Sequence, residues 1–519
     1  MATMAVTANK RSSRSANPAR HRQAPLAGAF SVLVATLFSA QVQALEWRIE
    51  PSVGASVIYS DNANQSENDP QDQISLTVSP GVIVRSEGSR RVEATLSYFM
   101  QGVARFGGED DSSDLYHNLN ATGYAELVED FLFIDANAQI SQELISLLGS
   151  PADVTINDSN RATTGSYSIS PYVKQRFGTF ADAEARYTLS GVLFEEDVAS
   201  DLLSNVFSAS LNSGSRFNTL TWGLGYSFRD VSDRNYGISD TSYTYERADL
   251  SLGYALTRKF RLIGNVGNEW IEYDSDLAAA NNRDDSIWSA GFAWSPSRRT
   301  SLEATMGERF FGDTYSLSAS YRARESVWTA SYVEDVNDIS QATLTEGTAY
   351  VWLCDGKFVE TAFPIEPEPG CTLVGTQDAL IPSIADGLYV SKTLRAGVNW
   401  GIRKVTYSIN VFDITRIYLL QDNAEDRSQG INAGVNYRLD PLTTLYSSLN
   451  LEWTEEPASL SGRTLNREDE LLTLHLGVNH QFGRDLTGAL TYRYYRRDSN
   501  DPTAEYTENN ITASVSMRF

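Results

Sequence analysis

Apolar and polar residues alternate along most of this chain, in segments of about ten to fifteen residues. The final segment, 511–519, reads ITASVSMRF, with Ile, Ala, Val, Met and Phe at the odd positions. The same pattern occurs in 73–85, 181–189 and 444–453. Because successive side chains of a strand point to opposite faces, the pattern predicts strands with one apolar face. Strands of soluble domains average about five or six residues, so segments this long favour a transmembrane barrel.

The connections between these segments alternate in length as well. Short turns, such as 87–90, 177–180 and 401–404, alternate with longer loops, such as 61–72 and 455–470, which are rich in Asp, Glu and Asn. The short turns and the residues beside them contain eleven Arg and Lys residues. This plan is typical of an outer-membrane barrel with short periplasmic turns and long extracellular loops. A segment-by-segment count predicts an all-β fold, a transmembrane antiparallel β-barrel of about 22 strands, with 20 to 24 as the range. Strand character begins at Trp47, so we expect no separate plug domain.

The first 44 residues have the features of a secretory signal. Residues 1–25 contain five Arg or Lys and no acid, 26–40 are apolar or small, and small residues precede Leu45. The pattern predicts a signal peptide over 1–44 and a barrel over 45–519. A membrane anchor is the alternative, but about 15 apolar residues fall short of the roughly 20 that a spanning helix needs. Export places the barrel in the outer membrane of a Gram-negative bacterium.

The charge and the histidine count exclude several functions. With 42 Lys and Arg against 66 Asp and Glu, the net charge of -24 argues against nucleic acid as a partner. Four His residues occur in the chain, and no Ser is paired with any of them at a recognisable spacing. We therefore expect no enzyme, no cofactor and no metal site. One acidic group, Glu109, Asp110, Asp111 and Asp114, leaves open a Mg²⁺ or Ca²⁺ bridge to lipopolysaccharide, although a solvated loop is the simpler interpretation.

Polar residues on the inward-facing positions of the predicted strands would line a water-filled lumen. The predicted lumen-lining residues are Glu93, Asp135, Asn137, Asp182, Glu184, Arg186, Thr406, Ser408, Asn410, Arg438, Asn450, Glu452 and Arg493. This mixture of acids, amides, hydroxyls and Arg suits hydrated polar solutes or sugar chains.

Two sequence stretches and the aromatic C-terminus carry a family resemblance. The stretch VSPGV at 78–82 and the stretch LNATGYAELVEDFLFIDANAQISQ at 119–142 resemble the β-barrel porin 2 family of outer-membrane proteins. Within it, the chain is similar to members associated with the PEP-CTERM/exosortase system and with exopolysaccharide gene clusters. The family has no catalytic residues to carry over. The terminal Phe519 is similar to the signal by which the barrel assembly machinery recognises its clients.

These observations together predict a porin-like channel for polar solutes or saccharide chains, with a link to exopolysaccharide export. The alternative is an outer-membrane structural or surface-adhesion protein without channel activity. The expected partners are the outer membrane with its lipopolysaccharide, the barrel assembly machinery and polysaccharide export components, and nucleic acid is not among them.

A long insertion, 338–388, lies between two of the predicted strands on the extracellular side. It contains the only cysteines of the protein, Cys354 and Cys371, separated by an acidic, Pro-rich run. In an exported chain an isolated Cys pair is most simply a disulfide, and metal binding is the weaker interpretation because no His or further Cys is near. We expect this lobe to cap or enter the barrel mouth and to narrow it.

Overall fold

A computed structural model gives the fold of most of the chain after residue 45. The described residues are 46–108, 111–146, 148–150, 154–195, 201–233, 242–273, 282–338, 349–354, 357–361, 372–377, 388–419, 423–458 and 466–519. The predicted signal peptide, 1–44, lies outside them. No helix within these ranges is long and apolar enough to cross a membrane.

Most of the described strands belong to one large antiparallel sheet. Its first fifteen strands are β1 (Glu46–Ser60), β2 (Gln73–Glu87), β3 (Val92–Gly107), β4 (Ser112–Val128), β5 (Leu132–Leu144), β6 (Arg161–Phe177), β7 (Ala181–Phe194), β8 (Leu202–Ser213), β9 (Leu220–Asp233), β10 (Tyr243–Thr257), β11 (Phe260–Tyr273), β12 (Arg283–Ser297), β13 (Thr300–Arg309), β14 (Gly312–Arg322) and β15 (Ser326–Asn337). Within the insertion, β16 (Ala349–Cys354), β17 (Lys357–Thr361) and β18 (Thr372–Gln377) form a separate three-stranded sheet. The large sheet continues with β19 (Tyr389–Ile402), β20 (Val405–Tyr418), β21 (Ala424–Asp440), β22 (Thr443–Glu456), β23 (Arg467–Gln481), β24 (Leu486–Ser499) and β25 (Tyr506–Arg518).

The large sheet closes on itself as a barrel of 22 strands. Each strand pairs with the next strand along the chain, and β15 pairs with β19 across the insertion. The first and last strands then pair with each other, from Ser52 opposite Arg518 to Ser60 opposite Asn510. Closure removes the free edges that would otherwise leave backbone N–H and C=O groups unpaired in lipid.

The alternation in the sequence separates the two faces of the barrel wall. On β20, Ile409 and Val411 point outward and are 40% and 36% exposed, whereas Thr406, Ser408 and Asn410 occupy the opposite face. Large apolar side chains are exposed at outward positions all around the barrel. A strand that lacks them is paired with a strand that has them. Exposed apolar side chains on this scale fit a wall surrounded by hydrocarbon.

Two pairings between neighbouring strands stop short of the end of the barrel that carries the longer loops, here called the long-loop end. β4 and β5 are paired from their common short turn up to Leu119 opposite Ile140, and both strands continue towards the long-loop end without pairing. β14 and β15 are likewise paired only up to Leu317 opposite Tyr332. Backbone groups above these points need other partners. The wall is therefore interrupted at two places on the long-loop end.

Candidate functional site at the barrel mouth

The connection between β5 and β6, residues 145–160 and here called the inner loop, turns into the mouth of the barrel. Residues 147 and 151–153 of it lie outside the described ranges. Leu148, Val154 and Ile156 are only 4%, 6% and 6% exposed. Burial of apolar side chains in a loop shows that the loop packs against other parts of the protein. Its partners lie on strands as distant as β24, six strands away around the wall.

Arg497 on β24 holds the beginning of the inner loop. Its guanidinium donates to the backbone oxygens of Leu148 and Gly149, at 3.0 and 2.8 Å. The side chain also lies 3.5 Å from the carboxylate of Asp469 and over the ring of Tyr506, and it is 6% exposed. A buried guanidinium with a carboxylate partner has enough donors left to bind loop carbonyls. Arg497 therefore anchors the loop to the far wall.

Arg105 on β3 holds the end of the same loop. It donates to the backbone oxygen of Val154, forms an ion pair with Asp114, and donates to the hydroxyl of Tyr116 at 2.9 Å. Its Nη2 lies 3.6 Å from the carboxylate of Asp158. Arg105 is 5% exposed, so these contacts replace water for a buried cation. One arginine thus joins two strands of the wall to the inner loop.

A second loop supports the inner loop from the side. The amide of Gln73, on β2, donates to the backbone oxygen of Ile156 at 2.9 Å. The amide of Asn157 donates to the backbone oxygen of Ala63 at 3.2 Å, and Ile58, Ala63 and Ile156 form a small buried cluster. The loop after β1 and the inner loop therefore cover one sector of the mouth as a single packed unit.

The two ends of the insertion enter the mouth from another part of the wall. Asp338 and Leu388, the first and last residues of the insertion and here called the latch, are each 1% exposed. The hydroxyl of Tyr243 on β10 donates to Asp338, and Nη1 of Arg229 lies 3.5 Å from the same carboxylate. Leu388 packs in a cluster that includes Tyr243 and residues of β8, β9 and β11. The distal parts of β15 and β19 therefore lean across the mouth towards β10, five strands away.

A buried carboxylate below the latch ties the short β13–β14 hairpin to its neighbours. Glu269 on β11 is 1% exposed and accepts from Tyr245 at 2.7 Å and from Arg309 at 2.7 Å. Arg309 also donates to Asp335 of β15 at 3.1 Å. This arginine spans the interruption between β14 and β15. The interrupted wall is closed here by charged side chains instead of by backbone pairing.

The residues predicted to line the lumen all occupy the face opposite the exposed apolar side chains. On β5 to β7, Arg186 forms an ion pair with Asp135 at 2.6 Å and contacts Glu184 at 3.3 Å. Asn137 donates to Ser168 at 3.4 Å, and Asp182 pairs with Arg176 at 2.9 Å.

The remaining members lie on β3 and on β20 to β24. Glu93 is opposite Tyr124, and Asn450 is opposite Asn432 and Thr473. Glu452 accepts from Ser428 at 2.9 Å, while Thr406 is 8% exposed. The other four inward positions are those of Ser408, Asn410, Arg438 and Arg493. Whether these residues line a path for solutes stays a prediction.

Sequence reasoning missed the residues that hold the mouth. Arg105, Arg497 and Arg309 were not among the predicted lumen-lining residues, although all three occupy inward positions at the long-loop end. For Arg105 and Arg497, the signal that could have found them was an arginine at an inward strand position next to an acidic loop. The acidic group at 109–114 lies partly outside the described ranges, and within them Asp114 is paired with Arg105. No group of three or more His, Cys, Asp or Glu in the described ranges could hold a metal ion.

Two other predictions concern the insertion and the C-terminus. Cys371 and the side chain of Cys354 lie outside the described residues, so their disulfide stays a prediction. The side chain of Phe519 is 69% exposed, and its backbone N–H donates to the oxygen of Pro51 at 2.9 Å. The role of Phe519 as an assembly signal also stays a prediction.

The comparisons with known proteins agree with a membrane barrel. The family model of the outer membrane protein beta-barrel domain matches residues 387–519, about a quarter of the chain. The FrpB iron transporter from Neisseria meningitidis, in its apoprotein form, matches with a TM-score of 0.51 at 11% identity, over 94% of this chain and 83% of that one. The siderophore receptor PirA from Pseudomonas aeruginosa matches with a TM-score of 0.46 at 11% identity, over 92% and 81%. No curated protein matches the chain.

The likeness to FrpB corrects one part of the predicted fold class. The described residues form a closed, all-β, antiparallel barrel of 22 strands and include no plug, whereas the class of receptors to which FrpB belongs contains a plug domain. The prediction of a barrel with no separate plug domain is therefore wrong on that point. The physical reason is that alternation reports only strands with one apolar face, so it gave no ground for excluding a plug domain. The protein is a β-barrel of the Gram-negative outer membrane.

Proposed function

We propose that this protein is an outer-membrane channel for polar solutes, with saccharide chains as the preferred class. The observation that carries the proposal is the chemistry of the inward face at the middle of the barrel. Hydroxyl side chains there pair with one another across strands, as Ser170 does with Thr188 at 2.8 Å and Thr305 with Ser316 at 2.6 Å, and the amide of Asn137 donates to Ser168 at 3.4 Å. Neutral groups that both donate and accept suit uncharged, hydrated molecules.

The charged residues of the inward face support the same proposal by their arrangement. In the middle of the wall, Asp135 is paired with Arg186, and Asp249 with Arg247 at 3.2 Å. Paired charges give a weak net field, which favours neither cations nor anions. A neutral saccharide would cross such a lumen with its hydration shell largely intact, because no unpaired charge would bind it strongly.

A swelling assay tests the proposal directly. Proteoliposomes that contain the purified barrel are diluted into isotonic solutions of a neutral disaccharide, and their swelling rate is compared with that of empty liposomes. We expect faster swelling with the neutral sugar, and single-channel currents in planar bilayers. Neither swelling nor current, from protein whose heat-modifiable form shows that it is folded, would contradict the channel.

One observation favours the alternative of a structural or adhesion protein. The inner loop and the latch both cover parts of the mouth, and their contacts are buried. A barrel whose mouth stays covered would present a folded surface without conducting. The same bilayer recordings separate the two functions, because shortening the inner loop should produce current only if a path lies beneath it.

We further propose that the protein is not an enzyme and that it needs no cofactor. His475, on the inward face, packs its ring against Tyr446 with centroids 5.1 Å apart, which is the packing of a structural side chain. The proposed partners are lipopolysaccharide, the barrel assembly machinery and components of polysaccharide export. Deleting Phe519 tests the second of these, since it should lower the yield of folded protein in the outer membrane.

A further inference from the structure

A polar cleft lies where the pairing between β4 and β5 is interrupted. Above Leu119 and Ile140 the two strands separate, and the cleft between them has a volume of about 310 Å³. Its walls come from β4, from the end of β5, from the start of β6 and from the first and last residues of the inner loop. Small-molecule sites in proteins have volumes from about 300 Å³ upward, so this one suits a ligand of modest size.

The side chains of the cleft carry oxygen and amide groups around one apolar residue. Tyr116, Gln142, Asp158, Ser159 and Thr163 supply the polar groups, and Ile145 supplies the apolar one. This composition differs from that of the surrounding outer wall, where large apolar side chains dominate.

Hydrogen bonds hold the polar groups of the cleft in place. The hydroxyl of Tyr116 donates to Asp158 at 2.6 Å and accepts from Arg105 at 2.9 Å. The amide of Gln142 donates to the backbone oxygen of His117 at 3.1 Å. Positioned acceptors lose less entropy when a ligand binds than mobile ones do.

The charges of the cleft are nearly balanced. The carboxylate of Asp158 lies 3.6 Å from Arg105, and Arg161, which also lines the cleft, donates to the backbone oxygen of Gln142 at 3.2 Å. A cation or an anion would meet a compensated charge here. A ligand with many hydroxyls and one apolar face can instead use the carboxylate, the amide, the hydroxyls and Ile145 together.

We infer that this cleft binds one neutral sugar unit, a subsite for the saccharides of the proposed channel, and the inference rests on that proposed function. Asp158 accepts from two adjacent sugar hydroxyls, Thr163 and Ser159 exchange hydrogen bonds with others, and the ring packs on Ile145. Arg105 contacts both Asp158 and the backbone oxygen of Val154. A sugar bound to Asp158 would therefore affect the hydrogen bond by which Arg105 holds the inner loop.

Saturation-transfer NMR on the full-length barrel in detergent tests this subsite. The probes are methyl glucoside, galactose and N-acetylglucosamine, with glucuronate and glucosamine as charged analogues. We expect at least one neutral sugar to bind, and D158N to weaken it about tenfold or more, since hydrogen bonds to a charged acceptor are the stronger ones. The matched control is D130N, which changes an exposed carboxylate in a turn between β4 and β5 at the other end of the barrel.

Several outcomes would overturn the inference. They are no binding by any neutral sugar, tighter binding by a charged analogue, and unchanged binding by D158N. If D158N fails to reach its heat-modifiable folded form, Thr163→Val carries the same test. A barrel that conducts but binds no sugar overturns the subsite alone, whereas a barrel that binds sugar but gives neither current nor swelling overturns the channel alone.

Discussion

The inner loop and the latch enter the same mouth from nearly opposite positions in the strand order, and different groups hold them. Arginines of the wall hold the inner loop by its backbone oxygens, at Leu148, Gly149 and Val154. The latch is held by its own side chains, the carboxylate of Asp338 and the apolar body of Leu388. Backbone oxygens are present whatever the loop sequence, so the wall decides where the inner loop lies, whereas the latch depends on its own residues.

The largest expected effect comes from removing the inner loop. Replacing residues 147–157 with a short Gly-Ser linker leaves the wall intact and clears one sector of the mouth. We expect the single-channel conductance to rise by about twofold or more, because conduction follows the width of the narrowest part. Deletion of 345–380 tests in the same way whether the insertion narrows the path. An unchanged conductance after the first deletion would show that the inner loop does not narrow the path.

The anchor of the inner loop gives the next largest effect. Arg497→Ala leaves two buried carbonyl oxygens without their donor, at about 1–3 kcal/mol each. Hydrogen exchange at 148–149 should accelerate by about tenfold or more as the loop opens more often. Arg496→Ala is the matched control, since this neighbouring arginine is 53% exposed and pairs with an equally exposed Asp498. Equal acceleration in both variants would contradict the anchoring role.

The latch should respond more weakly and only on its own side. Asp338→Asn keeps an acceptor for Tyr243 but removes the charge partner of Arg229, a change of about 1.5–3 kcal/mol. Hydrogen exchange at 336–338 and 388–390 should accelerate, while that at 154–158 should not. A change that spreads to the inner loop would show that the two segments form one closure instead of two.

The smallest effect is expected outside the mouth. Asp413 on the outer face pairs with Arg427 at 2.6 Å, but their side chains are 29% and 43% exposed. An exposed pair contributes about 0–1 kcal/mol, so Asp413→Asn should leave thermal stability and conductance nearly unchanged. A marked change in current would show that the outer face takes part in gating, and it would weaken the distinction between wall and mouth.

The strands of the barrel could be placed from the sequence because their signal is local. Alternation in 511–519 and in 444–453 marks residues whose two neighbours along the chain lie on the other face. The alternating segment 444–453 lies within β22, and residues 511–518 of the last alternating segment belong to β25. The same pattern carries no signal for a plug domain, so it gave no ground for the part of the fold class that excluded one.

The candidate site at the mouth could not be placed in the same way. The contact between Arg497 and Leu148 joins residues 349 positions apart, and the contact between Arg229 and Asp338 joins residues 109 positions apart. No periodicity relates such pairs. The prediction that the lobe of the insertion enters the mouth rested on its length and stays a prediction, since the structure describes burial only at its two ends, Asp338 and Leu388.

What the sequence determined by itself was the wall, with its apolar outer face, its polar inner face and its alternation of long and short connections. A strand of period two requires that division in a membrane, where each face meets a different solvent. What only the tertiary structure decided was which loops turn inward and which arginines hold them. Closure of the barrel places β5 and β24 at the same opening. Only in the closed barrel can Arg497 on β24 contact the backbone of the loop that follows β5.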